Sequence, residues 1–493
     1  MRSVIMIAYS FPPEGNAGVY RPLRFVRHLP AMGWNASVVA LDTHCYERYD
    51  PDLLDLVPSD TEVIRVRSRD PWQSIQMRRA QRIQKKHTCA PVKTSARNHV
   101  AQQAPVRSFL REVVHRAEAW CYHPDMAMCW IRPAVKVAVE ISARKRPDVI
   151  WATAGPVSSF VVAQRVSQRT GIPYVLDFRD PWTIMCTEFD ARRPAWATHM
   201  DRRALYQILK GAQAVIFRYD AEAECYWRAY QGTLDASRIH IIPNGYEGTI
   251  DGFVAPERDK CTILYTGTLS SYRYDTLLYA LAELKKSDPD QAKRLHLLFV
   301  GEETEALAAK AVALNISDIV ETMGPTSHAE SIRLQQEAHA LLILGRPPTM
   351  RGYELLAGAK LYGYLKTGRP IVGVLPLDET KKTLSRVGVS TVADVNSLAE
   401  ITAVLRHLLD AWSSGTLSSL VPNRIACEVY SAARQTAALV RALEGVSAVE
   451  AFIPGSVEIP PSLREEIGNG GWMTRVFSKR LRALSAAPRK MSR

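Results

Sequence analysis

The most regular pattern in the sequence is a short apolar run that ends in a polar or glycine-containing turn, followed by apolar positions spaced three and four residues apart. The runs have the length of strands buried on both faces, and the spacing after them is helical. The predicted strands lie at 3–9, 36–41, 146–153, 171–177, 211–217, 239–245, 262–269, 296–300, 341–344 and 370–375. Strands that alternate with helices in this way predict a doubly wound α/β fold with parallel sheets.

The chain of 493 residues is too long for one ordinary domain. The strand–turn–helix theme starts at Ser3 and starts again at Thr262. No short repeat accompanies it, so we expect two domains of the same type.

Composition indicates a folded protein without a membrane-spanning helix. Hydrophobic residues make up 47% and charged residues 23% of the chain, and no run approaches the roughly 18 apolar residues that span a bilayer. The eight cysteines are scattered without a Cys-x-x-Cys pair. This spacing favours reduced thiols, a cytoplasmic location and no structural zinc.

The net charge of +13 is concentrated in two segments. Residues 65–116 carry thirteen basic residues against two acidic ones, and residues 472–493 carry seven basic residues and no acidic ones. Both segments would attract phosphate in nucleic acid, nucleotide sugars or anionic lipid head groups.

Residues 358–376 predict a helix, a tight turn at Gly368 and a buried strand. The segment resembles the donor-sugar segment of glycosyltransferase family 4, which has lysine, two residues, Glu-Tyr-Leu and then Gly-Arg-Pro-Ile. The matching residues are Lys360, Tyr364-Leu365 and Gly368-Arg369-Pro370-Ile371. Gly363 occupies the position of the family's glutamate. The other glutamate of the family signature would fall at Leu355, beside Glu354.

A second block carries the same resemblance. Pro147-Asp148-Val149-Ile150, the strand opened by Gly171-Ile172-Pro173, and Asp177-Phe178-Arg179-Asp180-Pro181-Trp182 are similar to a bacterial subgroup of family 4. The resemblance implies catalytic roles for Asp177, Arg179 and Asp180 in a cleft. Taken alone, the residues favour a pair between Asp177 and Arg179 that fixes the loop; the two flanking strands favour the cleft role.

The resemblance implies the GT-B fold, two Rossmann-like doubly wound domains that face a central cleft. It places an acceptor domain at 1–250, with the basic insertion at about 65–116, and a nucleotide-sugar donor domain at 251–423. A helix at 424–445 would return to the first domain, and 446–493 would form a linker and a basic amphipathic tail.

The expected site residues follow from that likeness. The acceptor cleft would be formed by Gly15, Asn16, Gly18, Arg21, Thr153, Gly155 and Ser158. The donor would be bound by Gly267, Thr268, Arg273, Gly301, Glu302, Arg346, Glu354, Lys360 and Tyr362. Without the family match, the loop of Gly15–Gly18 would be an ordinary strand–helix turn, and Lys360 would be a solvated surface lysine.

A departing nucleotide diphosphate needs positive charge close to it. Amide groups at Gly267-Thr268 and the side chains of Arg273 and Lys360 could supply that charge. The only Asp-x-Asp match is Asp288-Pro289-Asp290, which we expect in a solvent loop. We therefore expect neither a metal nor another cofactor.

The expected activity is transfer of a sugar from a nucleotide-sugar donor to a glycan or lipid-linked hydroxyl, with retention of configuration as is typical of the family. The competing hypothesis, motivated by Gly363 and Leu355, is a catalytically inactive GT-B scaffold in a glycan-assembly complex. Nucleic-acid binding is not expected, since the basic segments contain no recognised motif.

Two segments could bind an anionic surface at the inner face of the plasma membrane. The spacing predicts an amphipathic helix at 107–120 and another in the tail at 472–493. Each apolar face could instead pack against the protein.

Overall fold

The computed structural model describes residues 1–46, 48–68, 120, 122–184, 193–270, 272–347, 351–358, 360–448 and 451–467. The chain divides into two compact units, Met1–Pro243 with residues from Thr436 onward, and Asn244–Gln435. Each unit has its own parallel sheet, which confirms the predicted pair of doubly wound α/β domains. The predicted helix before Trp120 and the basic tail at 472–493 lie outside the described residues.

The first unit is built on a parallel sheet whose order is β3-β2-β1-β4-β5-β6-β7. Its strands are β1 (Arg2–Ile7), β2 (Trp34–Leu41), β3 (Glu62–Val66), β4 (Val149–Thr153), β5 (Tyr174–Phe178), β6 (Ala214–Phe217) and β7 (Ile239–Ile241). Val4 lies beside Ala36 of β2 and Val149 of β4. Strand order reverses between β1 and β4, and this is where doubly wound sheets bind ligands, beyond the carboxyl ends of the strands.

Helices cover this sheet. They are α1 (Tyr20–His28), α2 (Met128–Lys145), α3 (Ser158–Thr170), α4 (Ala195–Gly211) and α5 (Asp220–Ala229). Every residue of β4 and β5 is buried, as the continuous apolar runs of these strands predict. Phe25 of α1 meets Trp151 of β4 edge to face, with ring centroids 5.7 Å apart.

The second unit repeats the strand order. Its strands are β8 (Cys261–Thr266), β9 (Leu295–Val300), β10 (Val320–Met323), β11 (Ala340–Leu344), β12 (Ile371–Leu375) and β13 (Val392–Asp394). They are ordered β10-β9-β8-β11-β12-β13, which matches β3-β2-β1-β4-β5-β6 of the first unit. The reversal, and therefore the expected ligand edge, lies between β8 and β11.

The helices of the second unit are α6 (Asp275–Ser287), α7 (Pro289–Lys293), α8 (Glu305–Ala313), α9 (His328–Gln336), α10 (Leu361–Lys366), α11 (Glu379–Arg386), α12 (Leu398–Ser413) and α13 (Arg424–Cys427). Helix α10 and strand β12 form the helix–turn–strand unit that the sequence predicts. The turn's Arg369 is buried and donates to the carbonyl oxygen of Ala338 at 2.6 Å. This arginine therefore holds the backbone of the unit together.

The chain ends, among the described residues, with α14 (Ala432–Leu443) and α15 (Arg464–Ile467). Leu439, Ala442 and Leu443 of α14 belong to the hydrophobic core of the first unit, with Met6 and Trp151. The described helices include none that is long and apolar enough to cross a membrane.

Candidate active site

Arg179 is the centre of the polar group at the carboxyl edge of the first sheet. Its Nε donates to the carbonyl oxygen of Ala154 at 3.0 Å and its Nη2 to that of Gly155 at 2.7 Å. A Cβ on Gly18 would lie 2.4 Å from Nη1, and one on Gly155, whose φ is 85°, would lie 1.8 Å from Nη2. The guanidinium thus occupies the space that these two glycines leave, which joins the loops after β1, β4 and β5.

Asp180 is the neighbouring acid, and it reaches solvent. Its Oδ2 lies 3.2 Å from Arg179 Nη2, and its side chain is 54% exposed against 16% for Arg179. The sequence allowed a structural pair between Arg179 and Asp177; the structure pairs Arg179 with Asp180 instead. An exposed carboxylate held beside a guanidinium could accept a proton or a hydrogen bond from a hydroxyl.

Asp177 lies beneath this surface. It is 0% exposed, and Arg21 donates to both carboxylate oxygens, with Nη2–Oδ1 at 2.7 Å and Nε–Oδ2 at 2.9 Å. Thr153 donates to Oδ2 at 2.8 Å. Arg21 also donates to the carbonyl oxygens of Ile242 and Pro243, each at 2.9 Å. A carboxylate enclosed in this way fixes the loop, so Asp177, Arg21 and Thr153 form a buried group that holds the loop from beneath.

Three further residues predicted for the acceptor cleft shape its loops. Asn16 Oδ1 accepts from Gly18 N at 2.8 Å, and Gly15 N donates to the carbonyl oxygen of Arg48 at 3.0 Å. Ser158 is buried, and its Oγ donates to Asp125 at 2.6 Å. Burial raises the pKa of Asp125. Ser158 therefore anchors the start of α3 and does not reach the cleft surface.

The sequence interpretation missed a buried ion pair next to this group. Arg218 follows β6, and its Nη2 lies 3.3 Å from Glu222 Oε1 at the start of α5. Burial raises the pKa of Glu222, while the Arg218 guanidinium opposes that shift. Arg218 lies before the helix that carries Glu222, so no helical spacing in the sequence indicated this pair.

Lys360 is the centre of the polar group in the second unit. Its Nζ donates to Tyr265 Oη at 2.6 Å and lies 3.8 Å from the centroid of the Tyr265 ring and 4.9 Å from that of Tyr272. A Cβ on Gly267, whose φ is 118°, would lie 2.6 Å from Lys360 Cε. Burial, with a contribution from the Arg346 guanidinium, lowers the pKa of Lys360 to about 7.

Arg346 adds a second cation, since its guanidinium lies 5.6 Å from the centroid of the Tyr272 ring. Among the described residues, neither Lys360 nor Arg346 forms a salt bridge with a carboxylate. Two cations beside aromatic rings and the backbone of Gly267, at the carboxyl ends of β8 and β11, form a site suited to an anion such as a phosphate. The sequence interpretation missed both tyrosines, because Tyr265 belongs to a strand that otherwise reads as core.

Other residues that the sequence predicts to bind the donor lie together at this edge of the sheet. Gly301 packs on Gly267, because a Cβ there would lie 2.3 Å from Gly267 O. Thr268 Oγ1 donates to Glu302 Oε2 at 3.3 Å. Arg273 N donates to Gly345 O at 3.0 Å, which joins the loops after β8 and β11.

Two residues predicted for the donor are not placed at this surface. Tyr362 is 4% exposed, and its ring packs on Tyr430 with centroids 5.4 Å apart, in the hydrophobic core. Glu354 is buried in the short 3-10 helix Tyr353–Leu355. Gly363, in contrast, is exposed, and nothing lies within 4 Å of where its Cβ would be.

The Asp-Pro-Asp segment begins a helix, which corrects the expectation of a solvent loop. Asp288 Oδ1 accepts from Gln291 N at 3.1 Å and caps α7. The described residues contain no group of three or more histidine, cysteine or acidic side chains arranged to hold a metal ion.

Residues 84–247 match the model of Glycosyltransferase Family 4. A search of curated proteins found no match. Among solved structures, the chain is similar to sucrose-phosphate synthase from Thermosynechococcus elongatus, with 13% identity and a TM-score of 0.53, over 98% of this chain and 100% of that chain. It is also similar to the apo form of the lipopolysaccharide outer core galactosyltransferase WaaB, with 13% identity and a TM-score of 0.52, over 90% and 99% of the two chains.

A third similar structure is S. aureus TarM, a mutant form in complex with fondaparinux, alpha-GlcNAc-glycerol and UDP. It has 9% identity and a TM-score of 0.50, over 90% of this chain and 100% of that chain. The shared fold is GT-B. The family match over residues 84–247 supports a glycosyltransferase and confirms the resemblance to family 4 in the second block of the sequence, and the solved structures show the fold.

Proposed function

We propose that the protein transfers a sugar from a nucleotide-diphosphate sugar to a hydroxyl of a glycan or lipid-linked acceptor, with retention of configuration and without a metal. The observation that carries the donor assignment is the Lys360–Arg346 pair beside Tyr265 and Gly267, two cations without a carboxylate partner among the described residues. The presence of UDP in the TarM complex supports a nucleotide-linked donor.

In this proposal Lys360 binds the diphosphate and stabilises the charge that develops on it as the sugar leaves. A preorganised cation in a site shielded from water is worth a few kcal/mol in such a step. Arg346 contributes a second positive charge, and the glycines at 267 and 301 let the backbone approach the phosphates closely. Because protein cations can meet the leaving group's charge, the proposed reaction needs no metal and no other cofactor.

The first unit supplies the acceptor side. Asp180 is the candidate to interact with the acceptor hydroxyl or the sugar, since its carboxylate is exposed and is positioned by Arg179. Arg21, Asp177 and Thr153 hold that loop from beneath. The proposed location is cytoplasmic, with the protein peripheral at an anionic inner membrane face.

The alternative is an inactive GT-B scaffold. The observation that favours it is Gly363, an exposed glycine where the family has a glutamate. Such a scaffold has no need for a nucleotide-sugar site.

Calorimetry with a panel of nucleotide sugars, in the presence and absence of EDTA, distinguishes the enzyme from the inactive scaffold. The enzyme should bind at least one member, with the same affinity after chelation, and should release its nucleotide when given acceptor glycans. Binding to no member would contradict the enzyme and favour the scaffold. Binding abolished by EDTA and restored by magnesium or manganese would contradict metal independence.

A further inference from the structure

Two tyrosine side chains are exposed in the segments that follow β1 and β2. Tyr20, the first residue of α1, is 45% exposed, and Tyr49, in the loop after β2, is 60% exposed. Neither hydroxyl has a hydrogen-bond partner among the described residues. Tyr20 follows β1, one of the two strands at the reversal of the sheet, and Tyr49 follows β2, the neighbour of β1 on the side away from the reversal. Both tyrosines therefore lie beyond the carboxyl ends of strands, the edge at which such sheets bind ligands.

Backbone bonds hold the two tyrosine segments together. Gly15 N donates to the carbonyl oxygen of Arg48 at 3.0 Å, and Asp50 N donates to that of Pro13 at 2.8 Å. Glu14 forms an antiparallel bridge with Tyr49. The loop after β1 and the segment 48–50 therefore form one rim.

The rim is continuous with the candidate active site. Gly18 leaves the space that Arg179 fills, and Tyr20 follows two residues later. The Asp50 carboxylate lies near enough to Tyr20 to add to burial in raising the pKa of its hydroxyl. A ligand on the rim would thus extend towards Asp180, with Tyr20 and Asp50 together on one side.

We propose that Tyr20 and Tyr49 form a carbohydrate-binding subsite that receives a pyranose ring of the acceptor. This inference rests on the proposed function. An exposed aromatic ring offers an apolar face to the C–H face of a sugar, and a tyrosine hydroxyl can bond to the sugar's hydroxyls. Asp50 and Arg48 supply further hydrogen-bonding groups on the same rim.

Charge favours a glycan over a membrane as the occupant. Residues 48–60 carry one basic residue, Arg48, and four acidic ones: Asp50, Asp52, Asp55 and Asp60. An anionic lipid surface would be repelled by this segment, whereas an uncharged polyhydroxyl ring would not.

The test uses the full-length protein, an array of defined oligosaccharides, and calorimetry with the strongest binder on the array. Tyr20→Leu and Tyr49→Leu should each lower the affinity for that oligosaccharide by about 3- to 10-fold, as expected for the loss of one aromatic contact. Tyr49→Phe should retain most of the affinity. Tyr279→Leu removes an equally exposed tyrosine from the second unit, and should bind as the wild type does.

UDP-glucose titrations of the same proteins separate this inference from the proposed function. Unchanged UDP-glucose affinity with weakened glycan binding supports the subsite. Wild-type protein that binds UDP-glucose but no oligosaccharide, or leucine variants that bind glycan as the wild type does, would overturn it. Loss of binding to anionic vesicles in the leucine variants, with glycan binding intact, would also overturn it and identify a membrane contact. Wild-type protein that binds no oligosaccharide of the array and no nucleotide sugar of the panel would contradict the proposed function itself.

Discussion

The two units share a strand order, but the charged side chains at their ligand edges differ in whether they are paired with an opposite charge. In the first unit the charges are paired: Arg21 with Asp177, Arg179 with Asp180, and Arg218 with Glu222. In the second, Lys360 and Arg346 lie beside tyrosine rings without a carboxylate partner among the described residues.

The difference separates charge in buried structural pairs from charge available to a ligand. Asp180, which is paired but 54% exposed, belongs with the second kind. A buried ion pair is satisfied within the protein, and its loss should be measured as loss of stability. A partly buried cation without a counterion, such as Lys360, costs stability, and its benefit should be measured as anion affinity.

Asp177→Asn should lower the free energy of unfolding by about 3–5 kcal/mol, because it leaves the Arg21 guanidinium buried without its counterion. Chemical denaturation measures the change. The matched control is Asp290→Asn, an exposed acid that should have little effect. An Asp177→Asn protein as stable as the wild type would show that this pair does not hold the loop.

Asp180→Asn should reduce turnover by about 100-fold, the range of a lost proton-transfer group, while stability and donor affinity remain near those of the wild type. Steady-state kinetics, thermal unfolding and donor titration distinguish these quantities. A large fall in stability with little change in turnover would move Asp180 into the structural group with Asp177.

Affinity for UDP-glucose should fall as the pH rises through about 7. Below its lowered pKa Lys360 is protonated and binds the diphosphate fully; above it, binding must take up a proton, and affinity falls by up to tenfold per pH unit. Titrations between pH 6 and 9 measure this slope. Lys360→Arg, which stays charged, should remove it, and an identical slope in that variant would exclude Lys360 as its source.

Without bound nucleotide, the contribution of Lys360 to the free energy of unfolding should rise with pH, whereas the affinity for UDP-glucose falls. An unfolded lysine keeps its proton up to a pH of about 10.4, so between about pH 7 and that value the unfolded chain binds more protons at this position. Lys360 therefore makes stability rise with pH over this window. Chemical denaturation of the wild type and of Lys360→Met across this pH window isolates the contribution of Lys360 to the free energy of unfolding.

Gly363→Ala should raise the free energy of unfolding by about 1 kcal/mol, because alanine favours a helix more than glycine does and nothing lies within 4 Å of the added Cβ. Donor affinity should not change. A marked loss of UDP-glucose affinity would show that the backbone at this position contacts the nucleotide.

Strand prediction succeeded where burial is complete. β4, β5, β11 and β12 are buried throughout, so their residues form continuous apolar runs. Three strands were not predicted: β3, β10 and β13. They lie at the edges of their sheets, where mixed exposure breaks up the apolar pattern.

Within the site, sequence motifs located Lys360, Arg179 and Asp180 but did not determine their partners. Asp177 and Asp180 belong to one short motif, yet one is fully buried and the other is mostly exposed. That difference arises from Arg21, whose place beneath the loop depends on tertiary packing. Tyr20 and Tyr49 carry no motif, and their exposure at the ligand edge is visible only in the folded chain.

The most direct test of the central claim is a calorimetric titration of UDP-glucose into the wild type, Lys360→Met and Lys366→Met at pH 7, with thermal unfolding of all three. Lys366 is the matched control, since it ends the short helix that Lys360 precedes and does not lie within 4 Å of where a Cβ on Gly267 would be. We expect at least about 100-fold weaker binding for Lys360→Met, wild-type binding for Lys366→Met, and no loss of stability in the Lys360 variant. Equal affinities in all three proteins would contradict the assignment of Lys360 to the donor diphosphate.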